Sequence, residues 1–390
     1  MNKVAITTLG CDKNTCDSET LAGALKAQGY TLVANDEEAD IIIVNTCAFI
    51  KSARDEALRV IKSKFKYNAR VIVTGCITAK HKHLIPSGAE VWDIGKYSGQ
   101  KLLSTPPSYT YIKIADGCNN HCSYCTIPSI RGAYKARPET DILNEVTHFA
   151  TLGVTEFILV AQDITKYPNL VGLIKKISAI GGVKRIRLHY VYPNGITDDL
   201  INEIATNPKV CKYIDIPFQH VSPQVLKAMN RKPIGDEVQR LRARIPDITI
   251  RSTFMVGFPT ETDEDFTMLC DFLKSARLDY VGFFAYSREP DTVAYSMPQV
   301  PAKIKTARLK AVQTIQNEIL VQKHKLLIGQ TIKVVCDSRN DVLGYSITRS
   351  QSMSPDVDPV IIVKGRLNSG EYADVKITGL QKQNLIGEVI

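Results

Sequence analysis

Three cysteines in one short segment are the strongest sign of chemistry in this sequence. Cys118, Cys122 and Cys125 lie in GCNNHCSYC, a C-x3-C-x2-C spacing that directly follows a predicted strand. A regular helix cannot turn three sulfurs of so short a segment toward one point, whereas a loop wrapped around a metal can. Three thiolates leave one iron of a [4Fe–4S] cluster open for a reactant, and the spacing favours this interpretation. The alternative is a zinc site completed by His121 or by a distant histidine.

A second set of three cysteines is dispersed along the first eighty residues. Cys11, Cys47 and Cys76 each lie at or just beyond the C-terminal end of a predicted strand. In an open parallel sheet these ends share one edge, where ligands bind. The placement predicts a second cluster, again with three protein ligands. Three small buried residues near strand ends are the alternative, because free cysteine is often buried.

The composition of the chain indicates the class of protein that carries these sites. The chain has 390 residues, 44% of them hydrophobic, and a net charge of +9, which indicates a globular protein of two or three domains. The positive charge points to an acidic partner such as nucleic acid, or to a solvated basic surface. We expect a cytoplasmic protein without a membrane segment, whose cysteines are reduced. The cysteines outside the two triads are predicted to serve in packing: Cys16, Cys211, Cys270 and Cys336.

The elements that position the cysteines follow an α/β pattern. Strands at 3–10, 41–46 and 71–75 alternate with helices at 17–29 and 50–66, which predicts an N-terminal open parallel sheet. Asp17 and Ser18 are expected to cap the first of these helices. Six further strand–helix units then predict a partial or full parallel barrel. Its strands are expected at 111–117, 156–163, 185–191, 213–219, 248–257 and 280–287.

The C-terminal part of the chain has a different pattern of predicted elements. A long amphipathic helix is predicted at 301–328, and the short strands that follow it indicate a small antiparallel β-barrel. A proline-containing linker is expected at 97–109. We therefore predict three domains, at 1–101, 104–325 and 326–390.

The motifs together resemble a known family. GCNNHCSYC matches the signature of the radical S-adenosylmethionine (SAM) enzymes, and with GCDKNTCDSE, NTCAFIKSARDEA and VTGC the chain resembles the methylthiotransferases. The resemblance implies an N-terminal cluster domain, a radical-SAM (βα)6 partial barrel and a C-terminal TRAM domain. The chain departs from the family pattern at Asp12, where proline is usual, and at the added Cys16. The stretches 77–96 and 163–170 look shorter than usual.

The resemblance also implies cofactors and a mechanism. It assigns two [4Fe–4S] clusters to the two cysteine triads, with no catalytic residue beyond these ligands. SAM on the open iron of the barrel cluster would give a radical that abstracts hydrogen, and the N-terminal cluster would deliver the methylthio group. Further SAM contacts are predicted at Tyr124, Gln162 and Gly257. Packing is the alternative for Tyr124, a tight turn the alternative for Gly257, and neighbouring Asp163 is a candidate helix cap.

The substrate is predicted from the same resemblance. IPSIRG at 127–132 and HYVYPNGITDDLI at 189–201 resemble the branch that modifies the β-carbon of an aspartate of small-subunit ribosomal protein twelve. Residues 326–390 carry seven basic and seven acidic side chains, which argues for a protein partner, with Asp356 and Asp358 facing it. A reductant such as flavodoxin or ferredoxin is the other expected partner. The alternatives are methylthiolation of an adenosine beside the transfer-RNA anticodon and a zinc-bound RNA-binding protein.

Overall fold

The computed structural model describes residues 2–93 and 99–390. It divides into two compact units, each formed by three stretches of chain. The described residues up to Ser104, with Ala115–Lys135 and Ser287–Tyr295, form the first unit. The second consists of Thr105–Ile114, Ala136–Tyr286 and Ser296–Ile390. Both cysteine triads therefore belong to the first unit.

The three predicted domain boundaries remain predictions. Part of the predicted linker at 97–109 lies outside the described residues.

Among the helices of the described chain, none combines the length and the apolar composition needed to span a lipid bilayer.

The first unit contains the predicted N-terminal parallel sheet. Its five strands pair in the order β2-β1-β3-β4-β5, and every pairing is parallel. The central strand, IIIVNT, is buried at every position, as a β-branched run covered on both faces requires. The elements are β1 (Lys3–Thr8), α1 (Asp12–Ala27), β2 (Thr31–Leu32), β3 (Ile41–Thr46), α2 (Lys51–Lys64), β4 (Arg70–Gly75), α3 (Cys76–Lys80) and β5 (Glu90–Val91).

The predicted start of the first helix was wrong. Helix α1 begins at Asp12, with Cys11 in the N-cap position, so Asp17 and Ser18 lie inside the helix. Their side chains bind groups outside it: Ser18 accepts a hydrogen bond from Thr8, and Asp17 pairs with Arg131. These tertiary partners account for residues that otherwise resemble a cap.

The second unit contains a six-stranded parallel sheet in the order β13-β12-β11-β10-β9-β6, which confirms the predicted partial barrel. Each of the six strands overlaps the range predicted for it from the sequence. In chain order from Thr105, the elements of both units are β6 (Tyr109–Lys113), β7 (Ala115–Asp116), α4 (Ile127–Arg131), β8 (Lys135–Ala136), α5 (Glu139–Thr151), β9 (Glu156–Val160), α6 (Leu170–Ala179), β10 (Arg185–Leu188), α7 (Asp198–Thr206), β11 (Val210–Gln219), α8 (Pro223–Ala228), α9 (Glu237–Arg244), β12 (Thr249–Val256), α10 (Asp263–Ala276) and β13 (Tyr280–Ala285). Of these, β7 and α4 belong to the first unit.

The C-terminal region forms a closed five-stranded barrel after the predicted long helix. One detail differs from the prediction of a wholly antiparallel barrel, because the strands at 361–364 and 384–389 pair in parallel. These two strands are neighbours in the barrel although the strand at 372–381 lies between them in the sequence. The elements are α11 (Ala302–Lys325), β14 (Thr331–Asn340), β15 (Tyr345–Ser350), β16 (Ile361–Lys364), β17 (Tyr372–Gln381) and β18 (Asn384–Val389).

A buried ionic network within the second unit joins this barrel to the six-stranded sheet. Glu156, at the start of β9, lies 2.6 Å from Arg349 of β15 and 2.8 Å from Arg187 of β10. Burial by itself would raise the pKa of Glu156, but attraction to Arg349, Arg187 and Arg185 outweighs it and lowers the pKa to about 2. Arg349 also binds Asp337 at 2.7 Å. The carboxylate therefore stays ionised in the interior, where each charge has an opposite partner.

Asp358 does not face a partner protein, contrary to the expectation from its sequence. Its carboxylate is 1% exposed, accepts a hydrogen bond from Tyr213 at 2.7 Å and lies 3.2 Å from Arg251. Asp356 accepts hydrogen bonds from the hydroxyls of Tyr109 and Tyr111. These acids hold the loop between β15 and β16 against the six-stranded sheet, so Asp358 is not free to bind a basic partner.

Candidate functional site

The three dispersed cysteines meet at one edge of the N-terminal sheet. Cys11 follows β1, Cys47 follows β3, and Cys76 follows β4 as the first residue of α3. The three strands are direct neighbours in the sheet. Burial raises the pKa of the Cys76 thiol to about 12, and the charges of Cys47 and Cys11 contribute to the rise. Burial likewise raises the pKa of Cys47, again with a contribution from Cys11. The structure thus brings these predicted ligands together.

Two glycines make this close approach possible. Gly10 has a φ of +102°, and a Cβ atom there would lie 2.8 Å from Cβ of Cys47. Gly75 has a φ of +90°, and a Cβ atom there would lie 2.3 Å from the carboxamide oxygen of Asn45. Both the left-handed backbone and the lack of space demand glycine at these positions. Each glycine directly precedes a cysteine of the triad, Cys11 after Gly10 and Cys76 after Gly75.

The second triad lies on the loop between β7 and α4. The backbone N–H of Asn120 donates to Sγ of Cys118, and that of Ile127 donates to Sγ of Cys125, each at 3.5 Å. His121 adopts a φ of 48°, in the left-handed region, between the first two cysteines. Backbone donors of this kind stabilise thiolates and tune the potential of an iron–sulfur cluster. The loop therefore fits the cluster that its spacing predicts.

Neither triad is arranged around a single ion. In the portion of the chain that the structure describes, no three His, Cys, Asp or Glu side chains converge to hold one metal ion. All ten cysteines are described, and none of them forms a disulfide in the structure. In a cube-shaped cluster each thiolate binds a different iron, so the ligands stand further apart than those of a tetrahedral zinc ion.

Arg131 connects the two triads. It ends helix α4, a few residues after Cys125, and its Nη2 atom lies 2.9 Å from Asp17 and 3.8 Å from Sγ of Cys76. Its Nη1 atom lies 3.1 Å from Asp116, which precedes the Cys118 loop. Burial by itself would lower the pKa of Arg131, but the acids Asp17 and Asp116 raise it above its ordinary value. The guanidinium is therefore a fixed positive charge beside the N-terminal thiols.

The sequence does not predict a role for Arg131, which lies in the IPSIRG segment that carries the family resemblance. The sequence signal for such a role is a single arginine that follows shortly after the cysteine loop. Its partner acids come from different segments, so the sequence does not reveal the pairing.

The three predicted SAM contacts lie in both units. Tyr124 is in the first unit and is 8% exposed. Gln162 and Gly257 are in the second unit, just beyond the C-terminal ends of β9 and β12. A Cβ atom at Gly257 would lie 2.4 Å from Cγ of Lys305, which provides a packing reason for glycine there. Their role toward SAM remains a prediction. Asp163 does serve as a cap, because it accepts a hydrogen bond from the backbone of Thr165 at 3.0 Å.

Comparison with family descriptions accounts for most of the chain. Residues 112–273 match the radical SAM superfamily, and residues 3–94 match an uncharacterized protein family, UPF0004. Residues 328–390 match the TRAM domain. Membership of the radical SAM superfamily implies SAM and a [4Fe–4S] cluster as cofactors.

Solved structures agree with the fold. The radical SAM methyltransferase TsrM from Kitasatospora setae, with tryptophan and a SAM analogue bound, superimposes with a TM-score of 0.56. The match covers 76% of this chain and 75% of TsrM at 14% sequence identity. At this identity the likeness shows the fold alone.

Curated relatives match the whole chain. The "Ribosomal protein uS12 methylthiotransferase RimO" of Pelotomaculum thermopropionicum is 39% identical, covering 100% of this chain and 99% of the relative. The protein of the same name from Carboxydothermus hydrogenoformans is 40% identical, with 100% and 99% covered. That from Elusimicrobium minutum is also 40% identical, and both chains are covered completely. Identity at this level over the full length assigns the family: the chain belongs to the RimO family of radical-SAM methylthiotransferases.

Proposed function

We propose that this chain transfers a methylthio group to the β-carbon of an aspartate in ribosomal protein uS12. The observation that carries the proposal is the full-length match to proteins named as uS12 methylthiotransferases, at 39 to 40% identity. The presence of both cysteine triads in one compact unit supports it, because sulfur insertion needs a site for SAM and a site for the transferred sulfur.

We assign one [4Fe–4S] cluster to each triad. The Cys118, Cys122 and Cys125 loop would hold the SAM-binding cluster, and Cys11, Cys47 and Cys76 would hold a second one. When bound, the clusters and SAM supply the radical and the methylthio group, while the protein supplies positioning. The backbone donors to Cys118 and Cys125 hold those sulfurs in place, and Gly10 and Gly75 let the other triad close.

The substrate assignment is tested with reconstituted enzyme, SAM and a reductant. Purified uS12 and unmodified transfer RNA are offered in parallel, and each product is analysed by mass spectrometry. We expect uS12 alone to gain the mass of one sulfur and one methylene group, located on an aspartate. Modification of transfer RNA without modification of uS12 would reject the proposal.

The cluster assignment is tested by iron and sulfide analysis of the anaerobically reconstituted chain. Two clusters correspond to about eight irons and eight sulfides per chain. Alanine at all three positions of either triad should lower both numbers to about four. A colourless protein that contains zinc and lacks acid-labile sulfide would support the alternative of a zinc-bound protein.

A further inference from the structure

The strongest unassigned feature of the first unit is the set of contacts made by Arg131. Its side chain is 2% exposed, yet it carries a full positive charge. Its Nη2 atom lies 2.6 Å from Oδ1 of Asn14, 2.9 Å from Asp17 and 3.8 Å from Sγ of Cys76. Nη1 lies 3.1 Å from Asp116. A planar guanidinium can donate to several acceptors in fixed directions at once, and it carries a positive charge that does not titrate in proteins.

The contact with Asn14 extends this arrangement to the other cysteines of the triad. The Asn14 carboxamide donates to the backbone carbonyl of Leu9 at 2.7 Å and to that of Thr46 at 3.0 Å. Thr46 directly precedes Cys47, and Leu9 lies two residues before Cys11. Arg131 thus contacts Cys76 directly and reaches the segments of Cys11 and Cys47 through one side chain.

The positive charge of Arg131 is only partly neutralised by its two acidic partners. Two acids pair with the guanidinium, but Asp116 is 35% exposed, so solvent weakens that pairing more than the pairing with Asp17. The sulfur of Cys76 lies on the same side of the guanidinium as Asp17 and Asn14. Reduction adds a negative charge to a thiolate-bound cluster, and a nearby buried cation stabilises that charge.

We infer that Arg131 is a positioning residue that couples the two triads and makes the cluster on Cys11, Cys47 and Cys76 easier to reduce. The inference rests on the proposed function, since it requires a cluster on that triad. It adds a role for a residue that does not ligate iron. Arg131 is the last residue of helix α4, which begins two residues after Cys125, so its contacts with Cys76 and Asn14 link that helix to the N-terminal triad.

The test isolates one cluster in the full-length chain. Cys118, Cys122 and Cys125 are replaced by alanine, so that only the N-terminal triad can bind iron, and this parent is titrated with reductant while the reduced cluster is followed by electron paramagnetic resonance. Arg131→Gln removes the charge, and Arg131→Lys keeps it. Arg70→Gln is the matched control, because Arg70 lies in the same unit in an exposed pair with Glu90.

We expect Arg131→Gln to lower the ratio of reduced to oxidised cluster at a fixed potential at least tenfold, which is about 59 mV for a one-electron couple. Arg131→Lys should retain a potential close to that of the parent, and Arg70→Gln should match it. If Arg131→Gln cannot hold the iron that Arg131→Lys and Arg70→Gln hold, the positioning role is supported directly.

Three results would overturn the inference. They are an unchanged potential and iron content in Arg131→Gln, an equal shift in Arg70→Gln, or the same loss in Arg131→Lys as in Arg131→Gln. Failure of the parent itself to bind about four irons would instead reject the second cluster of the proposed function. Circular dichroism of each variant verifies that the chain is folded.

Discussion

Arg54 and Glu289 form a buried ion pair, with 2.5 Å between Nη1 of the arginine and Oε2 of the glutamate. Arg54 lies on helix α2, which follows Cys47. Glu289 lies after β13 in the stretch Ser287–Tyr295, which is part of the first unit. Glu289 also accepts the backbone N–H of Lys51 at 2.7 Å. One carboxylate therefore neutralises Arg54 and satisfies a free donor at the start of α2.

We predict that Glu289→Gln destabilises the apoprotein by about 3–5 kcal/mol, because it leaves Arg54 buried without a counter-charge. The double variant Arg54→Met with Glu289→Gln should be more stable than Glu289→Gln alone. Urea unfolding of the three proteins measures the difference. A double variant that is less stable than Glu289→Gln would contradict this account of the pair.

We predict that Gly10→Ala disrupts the N-terminal triad. The new methyl group would meet Cβ of Cys47 at 2.8 Å, in addition to the strain of a left-handed alanine, which is about 1–2 kcal/mol. Gly29→Ala is the matched control, because Gly29 has a φ of +87° and nothing within 4 Å of the added atom. Iron analysis should show the loss of about four irons in Gly10→Ala and no loss in Gly29→Ala. Equal iron contents would show that the crowding at Cys47 is harmless.

We predict that Cys47→Ala abolishes methylthiolation of uS12 while SAM cleavage remains detectable. Cys47 belongs to the triad assigned to sulfur delivery, whereas the Cys118 loop stays intact. Cys270→Ala serves as the control, since Cys270 lies on helix α10 and belongs to neither triad. Liquid chromatography of 5′-deoxyadenosine and mass spectrometry of uS12 report the two activities. Parallel loss of both in Cys47→Ala would contradict the division between the triads.

We predict an acid-dependent loss of stability that depends on Glu156. Its pKa is about 2 in the folded chain against an ordinary 4.5, so its stabilising contribution is present above pH 4.5 and disappears as the pH falls toward 2. At about 1.4 kcal/mol per pKa unit the contribution is roughly 3 kcal/mol. Glu156→Gln should be less stable than the wild type at pH 7, and the difference should shrink with acid. Chemical denaturation of both proteins between pH 7 and pH 3 checks this, and a constant difference would refute it.

The strand ends and the cysteines could be predicted because their signals are local. IIIVNT is a continuous β-branched run, and a glycine precedes Cys11, Cys76 and Cys118 at the end of a strand. Each of these glycines has a positive φ in the structure. This Gly-Cys pattern is a further sequence signal for the two triads, in addition to the spacing of the cysteines.

What the sequence did not reveal depends on contacts between distant segments. Asp17 resembles a helix cap until its partner Arg131 is known, and Asp358 resembles a surface acid until Tyr213 and Arg251 are seen beside it. The parallel pairing of β16 with β18 likewise depends on how the barrel closes. Charges and pairings of this kind follow from the tertiary fold, and no local pattern encodes them.

The ion pair of Asp17 with Arg131 has a consequence for how such chains change over generations. Since each charge would be stranded in the interior without the other, neither can be lost alone without penalty. Related chains should therefore alter the two positions jointly. A hybrid gene that takes its first hundred codons from one relative and the remainder from another should succeed only where this pair is matched.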